Sequence, residues 1–187
     1  MSIEANEARA RYSTIAIWLH WGIATLLITN LFLGFFYDAW GKSSAARLMF
    51  FHKSIGISVL VLTLFRLGWR LFHKPPPFDS SLKRWEVSLA RLVHAAFYVV
   101  LLAIPLTGWM FSSSWGRASP FFGLFEIAPL PVPSTDGARS LFADLHEMLG
   151  YLAIALIVLH VSGALKHHLQ GHRHLLGRMA PVVYRRG

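Results

Sequence analysis

The chain alternates between long apolar segments and shorter polar links. Four apolar segments stand out, at residues 14–36, 52–72, 89–111 and 142–165. Each is long enough to cross the hydrocarbon core of a bilayer, which needs roughly 20 helical residues. Because lipid cannot hydrogen-bond the backbone, such segments are helical. The pattern predicts an all-α polytopic membrane protein, built as a bundle of four transmembrane helices.

The links between these segments predict a single domain. They are rich in turn-forming residues, with a proline run at 75–77 and four prolines between the third and fourth segments. We therefore expect residues 1–187 to form one membrane domain that ends in a basic tail at 166–187. The first segment is too long for a removable signal peptide, and no small-residue cleavage site follows it.

Composition agrees with a membrane location. Hydrophobic residues make up 55% of the chain, and the mean hydropathy is +0.47. Charged residues make up only 14%, against about 25% in soluble domains. The chain has no cysteine, which excludes disulfides, thiolate metal sites, cysteine-ligated iron–sulfur clusters and covalently attached c-type haem.

The formal charge of +9 follows from an uneven distribution of basic residues. Thirteen of the 18 Lys and Arg residues fall on the side that holds both termini and the second link. They are Arg9, Arg11, Arg66, Arg70, Lys74, Lys83, Arg84, Arg91, Lys166, Arg173, Arg178, Arg185 and Arg186. The positive-inside rule predicts that both the N- and the C-terminus lie in the cytoplasm. No nucleic-acid partner is expected, because no soluble domain is present to bind one.

Five of the ten histidines lie in or at the ends of the apolar segments: His20, His52, His94, His146 and His160. Ionisable residues inside a membrane usually face the bundle interior and mark functional sites. The alternating helix directions place His20 level with His160 near the cytoplasmic side, and His52 level with His146 near the outer side. His146 and His160 are separated by about 21 Å along one helix and point to nearly the same face.

These two cross-helix pairs predict two stacked haem b groups, each with two histidine ligands. A non-covalent haem needs a nitrogen ligand on either side of the iron and an apolar slot, which helical bundles commonly supply. A small residue stands four positions after each predicted ligand, leaving room for a flat ring: Ala24, Gly56, Gly150 and Ala164. A zinc or di-iron site would need three or four ligands at one level, usually with carboxylates, and no carboxylate lies deep in a segment.

Three further residues are candidates near the haem groups. Arg66 lies fourteen residues after His52, at the inner level, and is expected to bind an anionic haem propionate; the alternative is an arginine that snorkels to the interface. Lys53 could serve the outer haem or bind lipid headgroups. His94 has no iron in the four-ligand scheme, so it is either a propionate partner or an interface residue.

His167 and His168 follow the fourth segment in "LKHHL". Histidine exchanges protons near neutral pH, so these two could line a quinone site at the cytoplasmic boundary. The alternative is that these residues belong to a basic tail that lies on the membrane surface. His73, His172 and His174 are expected to be interfacial.

The sequence resembles the bacterial cytochrome b-561 family along nearly its whole length. The resemblance is carried by "RYSTIAIWLHW" at 11–21, "FHKSIGISVLVLTLFRLGWRL" at 51–71, "LVHAAFYVVLLAIPLTGW" at 92–109 and "LHEMLGYLAIALIVLHVSGALKHH" at 145–168. It implies a four-helix di-haem cytochrome whose ligands fall on His20, His52, His146 and His160. It also implies electron transfer with quinone as the lipid-phase partner, and some members are reported to oxidise superoxide and pass the electrons to ubiquinone.

Two other functions are compatible with the sequence. One is a membrane-anchor cytochrome b subunit of a larger oxidoreductase with a periplasmic electron donor or acceptor. The other is a non-redox transporter or scaffold with interfacial histidines. The pairing of histidines at two depths in the membrane argues against this second function. Besides membrane lipid and quinone, a second copy of the chain is a compatible partner.

Overall fold

Four long helices form the body of the protein in a computed structural model that describes residues 12–79, 82–171 and 173–179. Helix α1 spans Thr14–Phe36, α2 spans Lys42–Phe72, α3 spans Arg84–Ser113 and α4 spans Asp136–Leu169. A short 3-10 helix, Tyr37–Trp40, joins α1 to α2, and a short helix α5, Arg173–Gly177, follows α4. The predicted all-α bundle is confirmed. Arg9, Arg11, His172, Arg185 and Arg186 lie outside the described residues.

Three of the four helices begin earlier than the apolar pattern predicts. Helices α2, α3 and α4 begin at Lys42, Arg84 and Asp136, where the predicted segments begin at 52, 89 and 142. Their first turns are polar, and those of α4 and α3 are stabilised by side-chain caps: the Thr135 side chain accepts a hydrogen bond from the Ala138 amide, and Glu86 accepts one from the Lys83 amide. Helix α2 follows Gly41, which makes no side-chain cap. A hydropathy pattern misses such turns, because capping residues are polar.

The link between α3 and α4 contains a small antiparallel hairpin that the sequence pattern did not predict. Strand β1, Ser119–Phe121, pairs with β2, Phe125–Ile127, so that Phe121 lies opposite Phe125. The turn between the strands needs two residues in the left-handed region, Phe122 with φ of 51° and Gly123 with φ of 74°. Strands of three residues are too short to show an alternating pattern, so the link resembled a loop.

The two ends of the bundle carry different structural elements. The hairpin end carries the 3-10 helix and strands β1 and β2, while the terminal end carries the start of α1, the α2–α3 link and α5. At the terminal end, the Trp21 indole donates a hydrogen bond to the Met179 carbonyl over 2.8 Å. At the hairpin end, Lys53 donates to the Ser112 hydroxyl over 2.9 Å.

An apolar core fills the bundle between its ends. One buried cluster joins Ile23 and Leu27 of α1 to Ile55 and Val59 of α2, with Leu101 of α3. A second joins α3 to α4 and includes the fully buried Ala153. Within the apolar window of each long helix, only 11–22% of the residues are buried inside the bundle. Most of the apolar surface therefore faces outward, as expected where lipid is the solvent.

Ser54 attaches the β-hairpin to α2. Its side chain is fully buried, its hydroxyl lies 3.1 Å from the Pro120 carbonyl, and it accepts a 3.0 Å hydrogen bond from the Phe122 amide. The helix and the turn thus share one hydroxyl group.

The Ser54→Ala variant is expected to leave the Phe122 amide without a partner and to destabilise the hairpin end by about 1–3 kcal/mol. Hydrogen–deuterium exchange in residues 119–127 should accelerate, with a lower melting temperature in detergent. Ser58→Ala is the control, because the Ser58 hydroxyl donates to the Ser54 carbonyl within α2 and, in the described part of the chain, has no hydrogen bond to the β-hairpin. Equal exchange in the two variants would show that Ser54 does not hold the hairpin.

Candidate functional site

Two histidines face each other at the hairpin-end level of the bundle. His52 of α2 and His146 of α4 have ring centroids 5.8 Å apart, and their ring planes are perpendicular. Both side chains are half-buried. The structure therefore brings together the pair that the helix directions predicted.

Each of these two rings is held by a backbone carbonyl of a neighbouring helix. His52 Nδ1 lies 3.0 Å from the Asn30 carbonyl oxygen of α1, and His146 Nδ1 lies 2.8 Å from the Ile104 carbonyl oxygen of α3. A carbonyl oxygen only accepts, so Nδ1 must carry the proton and donate in both rings. In the neutral imidazole Nε2 then keeps its lone pair, as a metal ligand requires.

Glycines allow these rings to approach the neighbouring backbones. A Cβ atom placed on Gly34 of α1 would lie 2.8 Å from Cε1 of His52, and one placed on Gly108 of α3 would lie 2.8 Å from Cε1 of His146. Contacts below 3.0 Å are essentially never made by real Cβ atoms. Any larger residue at these positions must therefore displace a histidine ring or a helix.

Three histidines gather at the terminal-end level. The His160 ring of α4 lies 6.1 Å from the ring of His20 on α1 and 5.6 Å from that of His94 on α3, measured between centroids. The Phe97 ring packs edge-on against His160. Among the described residues, no hydrogen bond is found to a ring nitrogen of His20, His94 or His160. The predicted pair is together, but the His94 ring is 0.5 Å closer to His160 than the His20 ring is, which the sequence did not predict.

Cationic side chains differ between the two levels. The positive charge of Arg66 interacts electrostatically with His20, His94 and His160. Arg66 lies at the predicted level, and it lines a cavity at the terminal end together with Tyr12, Trp69, Arg70 and Tyr98. At the hairpin-end level Lys53 acts on His52, while its ammonium group is held by the Ser112 hydroxyl.

The two helical hairpins, α1–α2 and α3–α4, repeat the same spacing of site residues. On α1, His20 is followed by Asn30 and Gly34; on α3, His94 is followed at identical intervals by Ile104 and Gly108. On α2, Arg66 comes fourteen residues after His52, and on α4 His160 comes fourteen after His146. The α1–α2 and α3–α4 hairpins thus place equivalent residues at equivalent depths. The carbonyl and glycine positions were not predicted from the sequence, although a glycine level with a histidine on the next helix is a visible signal.

The other predicted residues lie away from the paired rings. His167 and His168 are half-buried at the terminal end of α4. There, His167 interacts electrostatically with Glu86. Glu86 forms a 2.7 Å ion pair with Lys166. Two of the small residues expected to make room for a ring contact other side chains: Asn30 approaches Gly56, and Phe35 packs against Gly150.

The spacing of the paired histidine rings suits a metal ion held between two imidazoles. Bonds from a metal to an imidazole nitrogen are about 2 Å long, so two rings sharing one metal ion have centroids about 6 Å apart. The spacings of 5.8 Å and 6.1 Å fit this value. No group of three or more His, Asp or Glu side chains in the described part of the chain could hold a metal ion by itself. Two imidazoles at this spacing suit an iron whose other ligands come from a haem.

Most of the chain is similar in sequence to one family of known proteins. Residues 11–181 match the family described as prokaryotic cytochrome b561. The chain is 32% identical to cytochrome b561 homolog 2 of Escherichia coli K12 over 177 residues, covering 90% of each chain. It is 30% identical to cytochrome b561 homolog 1 of the same organism, covering 91% of this chain and 97% of the relative. It is also 29% identical to a probable superoxide oxidase CybB of Yersinia pestis, covering 91% and 96%.

Proposed function

The chain belongs to the prokaryotic cytochrome b561 family, and we propose that it is a di-haem cytochrome in which His52 pairs with His146 and His20 pairs with His160 as axial ligands. Membership confirms the resemblance noted in the sequence. It makes the protein a multi-pass b-type cytochrome of the bacterial inner membrane that acts in electron transfer. In the proposal, residues 1–187 act as one membrane domain.

The observation that carries the proposal is the pair of ring spacings at two depths. Facing histidines with centroids 5.8 Å and 6.1 Å apart occur once near each end of the bundle. The fourteen residues between His146 and His160 set the levels about 21 Å apart. Bound haem supplies one-electron chemistry. The chain orients the imidazoles and separates the levels with apolar residues such as Val59 and Ala153.

At the terminal-end level the proposal has to choose between two partners for His160. His20 lies at 6.1 Å and His94 at 5.6 Å, and both distances are close to the value of about 6 Å for a shared metal. We assign His20 as the ligand, as the family resemblance implies. His94 is then a neighbour of the haem that can donate a hydrogen bond to a propionate.

Alanine variants should separate these roles by haem content. His52→Ala and His146→Ala are each expected to lose the hairpin-end haem, and His20→Ala and His160→Ala the terminal-end haem, so each purified variant keeps one haem per chain. His94→Ala should keep two. The measurement is pyridine haemochrome content per polypeptide, with His73→Ala as the control, because His73 stacks on Trp69 outside both pairs.

A different pattern of loss would reassign the ligands. One haem in His94→Ala together with two in His20→Ala would make His94 the partner of His160. Two haems in both His20→Ala and His52→Ala would refute the di-haem arrangement altogether.

For the electron partners we propose superoxide as donor at the hairpin end and a quinone as acceptor at the terminal end. Each superoxide would lose one electron to become dioxygen, and two electrons with two protons would convert one quinone to quinol. Superoxide as donor is supported by the similarity of the chain to a probable superoxide oxidase of Yersinia pestis. It is also supported by cations at the hairpin end, where the Arg139 guanidinium lies 4.2 Å from the centroid of the Trp115 ring. For the quinone, support comes from the half-buried His167 and His168 at the terminal end, because histidine is the side chain best suited to proton exchange near neutral pH.

Superoxide from an enzymatic source should reduce the haem absorbance of the purified protein, and superoxide dismutase should abolish the effect. Since charge steers an anion to a cationic surface, the reduction rate should fall with added salt and severalfold in Arg139→Gln. A water-soluble ubiquinone analogue should reoxidise the haem, more slowly in the double variant His167→Ala/His168→Ala. Reduction that is insensitive to dismutase would remove superoxide as the donor.

We further propose that both termini lie in the cytoplasm. The distribution of basic residues supports this: at the terminal end, residues such as Arg70, Lys74 and Arg84 flank the helices, whereas the hairpin end carries Lys42, Arg47, Lys53, Arg117 and Arg139. The proposal also sets superoxide oxidation on the periplasmic side.

Reporter fusions should locate the two ends. Green fluorescent protein joined after residue 187 should fluoresce, and alkaline phosphatase joined there should be inactive. Alkaline phosphatase inserted in the link at 128–135 should be active. The reverse pattern at both positions would invert the proposed orientation.

A further inference from the structure

The two hairpin-end histidines share one structural device, which consists of a backbone carbonyl and a glycine four residues later on the preceding helix. This carbonyl–glycine motif comprises Asn30 and Gly34 on α1 for His52, and Ile104 and Gly108 on α3 for His146. We propose that the four residues are positioning residues for the ligands, and that they make the hairpin-end haem the one with the lower reduction potential. The inference rests on the proposed di-haem function.

The four-residue spacing has a geometric cause. In an α-helix each Cα–Cβ bond tilts toward the N-terminus, so a side chain covers the turn that precedes it. The side chain of residue i+4 therefore covers the carbonyl of residue i. Glycine at i+4 exposes that carbonyl to a neighbouring helix, and the imidazole fills the space, with Nδ1 only 3.2 Å from the Cβ position of Gly34 and 3.1 Å from that of Gly108.

The motif occurs independently in both helical hairpins. In each, the first helix presents the carbonyl and the glycine, and the second helix supplies the histidine. The other glycines in the four helices are less closely approached: Gly56 and Gly150 have their nearest side-chain atoms at 3.4 Å, an ordinary contact, and Gly22, Gly68, Gly137 and Gly163 have nothing within 4 Å of their Cβ positions. The close approach therefore belongs to the glycines beside the predicted ligands and is not a general feature of helical glycines in this bundle.

A carbonyl bonded to Nδ1 changes the ligand as well as its orientation. It fixes the ring rotation, keeps the proton on Nδ1 and raises the basicity of Nε2. A more basic ligand donates more electron density and stabilises the ferric state more than the ferrous state. Hydrogen bonding around an axial ligand is a recognised means of tuning haem potential. At the hairpin end both ligands have this bond, which lowers the potential of that haem.

The terminal-end pair lacks the bond and has a cation instead. No hydrogen bond to a ring nitrogen of His20 or His160 is found within the described ranges, while Arg66 acts electrostatically on both rings. A fixed positive charge disfavours ferric haem, which carries one more positive charge than ferrous haem. Lys53 interacts electrostatically with His52 in the same sense, but among the described residues no such interaction with a cation is found for His146. Both differences therefore make the terminal-end haem the more readily reduced.

Spectroelectrochemical titration of single-haem variants tests the order of potentials. His20→Ala should retain the hairpin-end haem, and His52→Ala the terminal-end haem. We expect the haem of His20→Ala to titrate at a lower potential than that of His52→Ala. Equal potentials, or the reverse order, would overturn the inference while leaving the di-haem assignment intact, because the assignment depends only on the haem count.

Glycine variants test the motif itself in the two-haem protein. Gly34→Ala and Gly108→Ala should displace one ring, break its Nδ1 bond, raise the potential of the hairpin-end haem and alter its low-spin electron paramagnetic resonance signal. A severe clash would remove that haem alone. In either case the terminal-end haem should keep its potential and signal.

Matched alanine substitutions at open glycines are the controls. Gly22→Ala is on the same helix as Gly34, and Gly163→Ala is on the same helix as His146, and both should leave the two potentials and both signals unchanged. The motif has no positioning role if Gly34→Ala and Gly108→Ala also leave the hairpin-end haem unchanged. Loss of both haems in either variant would equally contradict a role confined to the hairpin end.

Discussion

The rest of the structure depends on how imidazole rings are accommodated where water is absent. A buried polar nitrogen without a partner costs several kcal/mol in an apolar medium. At the hairpin end, the Asn30 and Ile104 carbonyls accept the Nδ1 protons of His52 and His146, so each neutral ring keeps its lone pair on Nε2, the atom that a metal would need. This arrangement needs close helix contact, and close contact needs Gly34 and Gly108. Ligand orientation, helix spacing and glycine placement are therefore consequences of one constraint.

The two levels of the bundle satisfy this constraint differently. The hairpin-end level is held by backbone atoms and is joined to the β-hairpin through α2, where Ser54 bonds the Phe122 amide. The terminal-end level combines three histidines with the charge of Arg66. Repeated spacing in the two helical hairpins gives both levels a common plan, in which Arg66 of α2 occupies the position that His160 has in α4. One pseudo-symmetric scaffold thus gives the two histidine levels unlike electrostatic surroundings.

The four helices and the levels of the histidines could be predicted from the sequence, because length, hydropathy and alternating direction determine which residues share a depth. Sequence alone did not predict the polar first turn before residue 142, since caps such as Thr135 are not apolar. It also missed Gly34, Gly108 and the closeness of His94 to His160. These features depend on the rotation and separation of neighbouring helices, which only packing determines.

The most direct test of the central claim is the haem stoichiometry and low-temperature spectrum of the unmodified protein, purified in detergent after expression with sufficient haem. We expect two non-covalent b haems per polypeptide, both low-spin, with two distinct paramagnetic signals in the oxidised state and α-band absorbance on reduction with dithionite. A single haem per chain would show that one histidine pair is structural. A high-spin signal would show that an iron lacks its second imidazole, and a colourless protein would contradict the account as a whole.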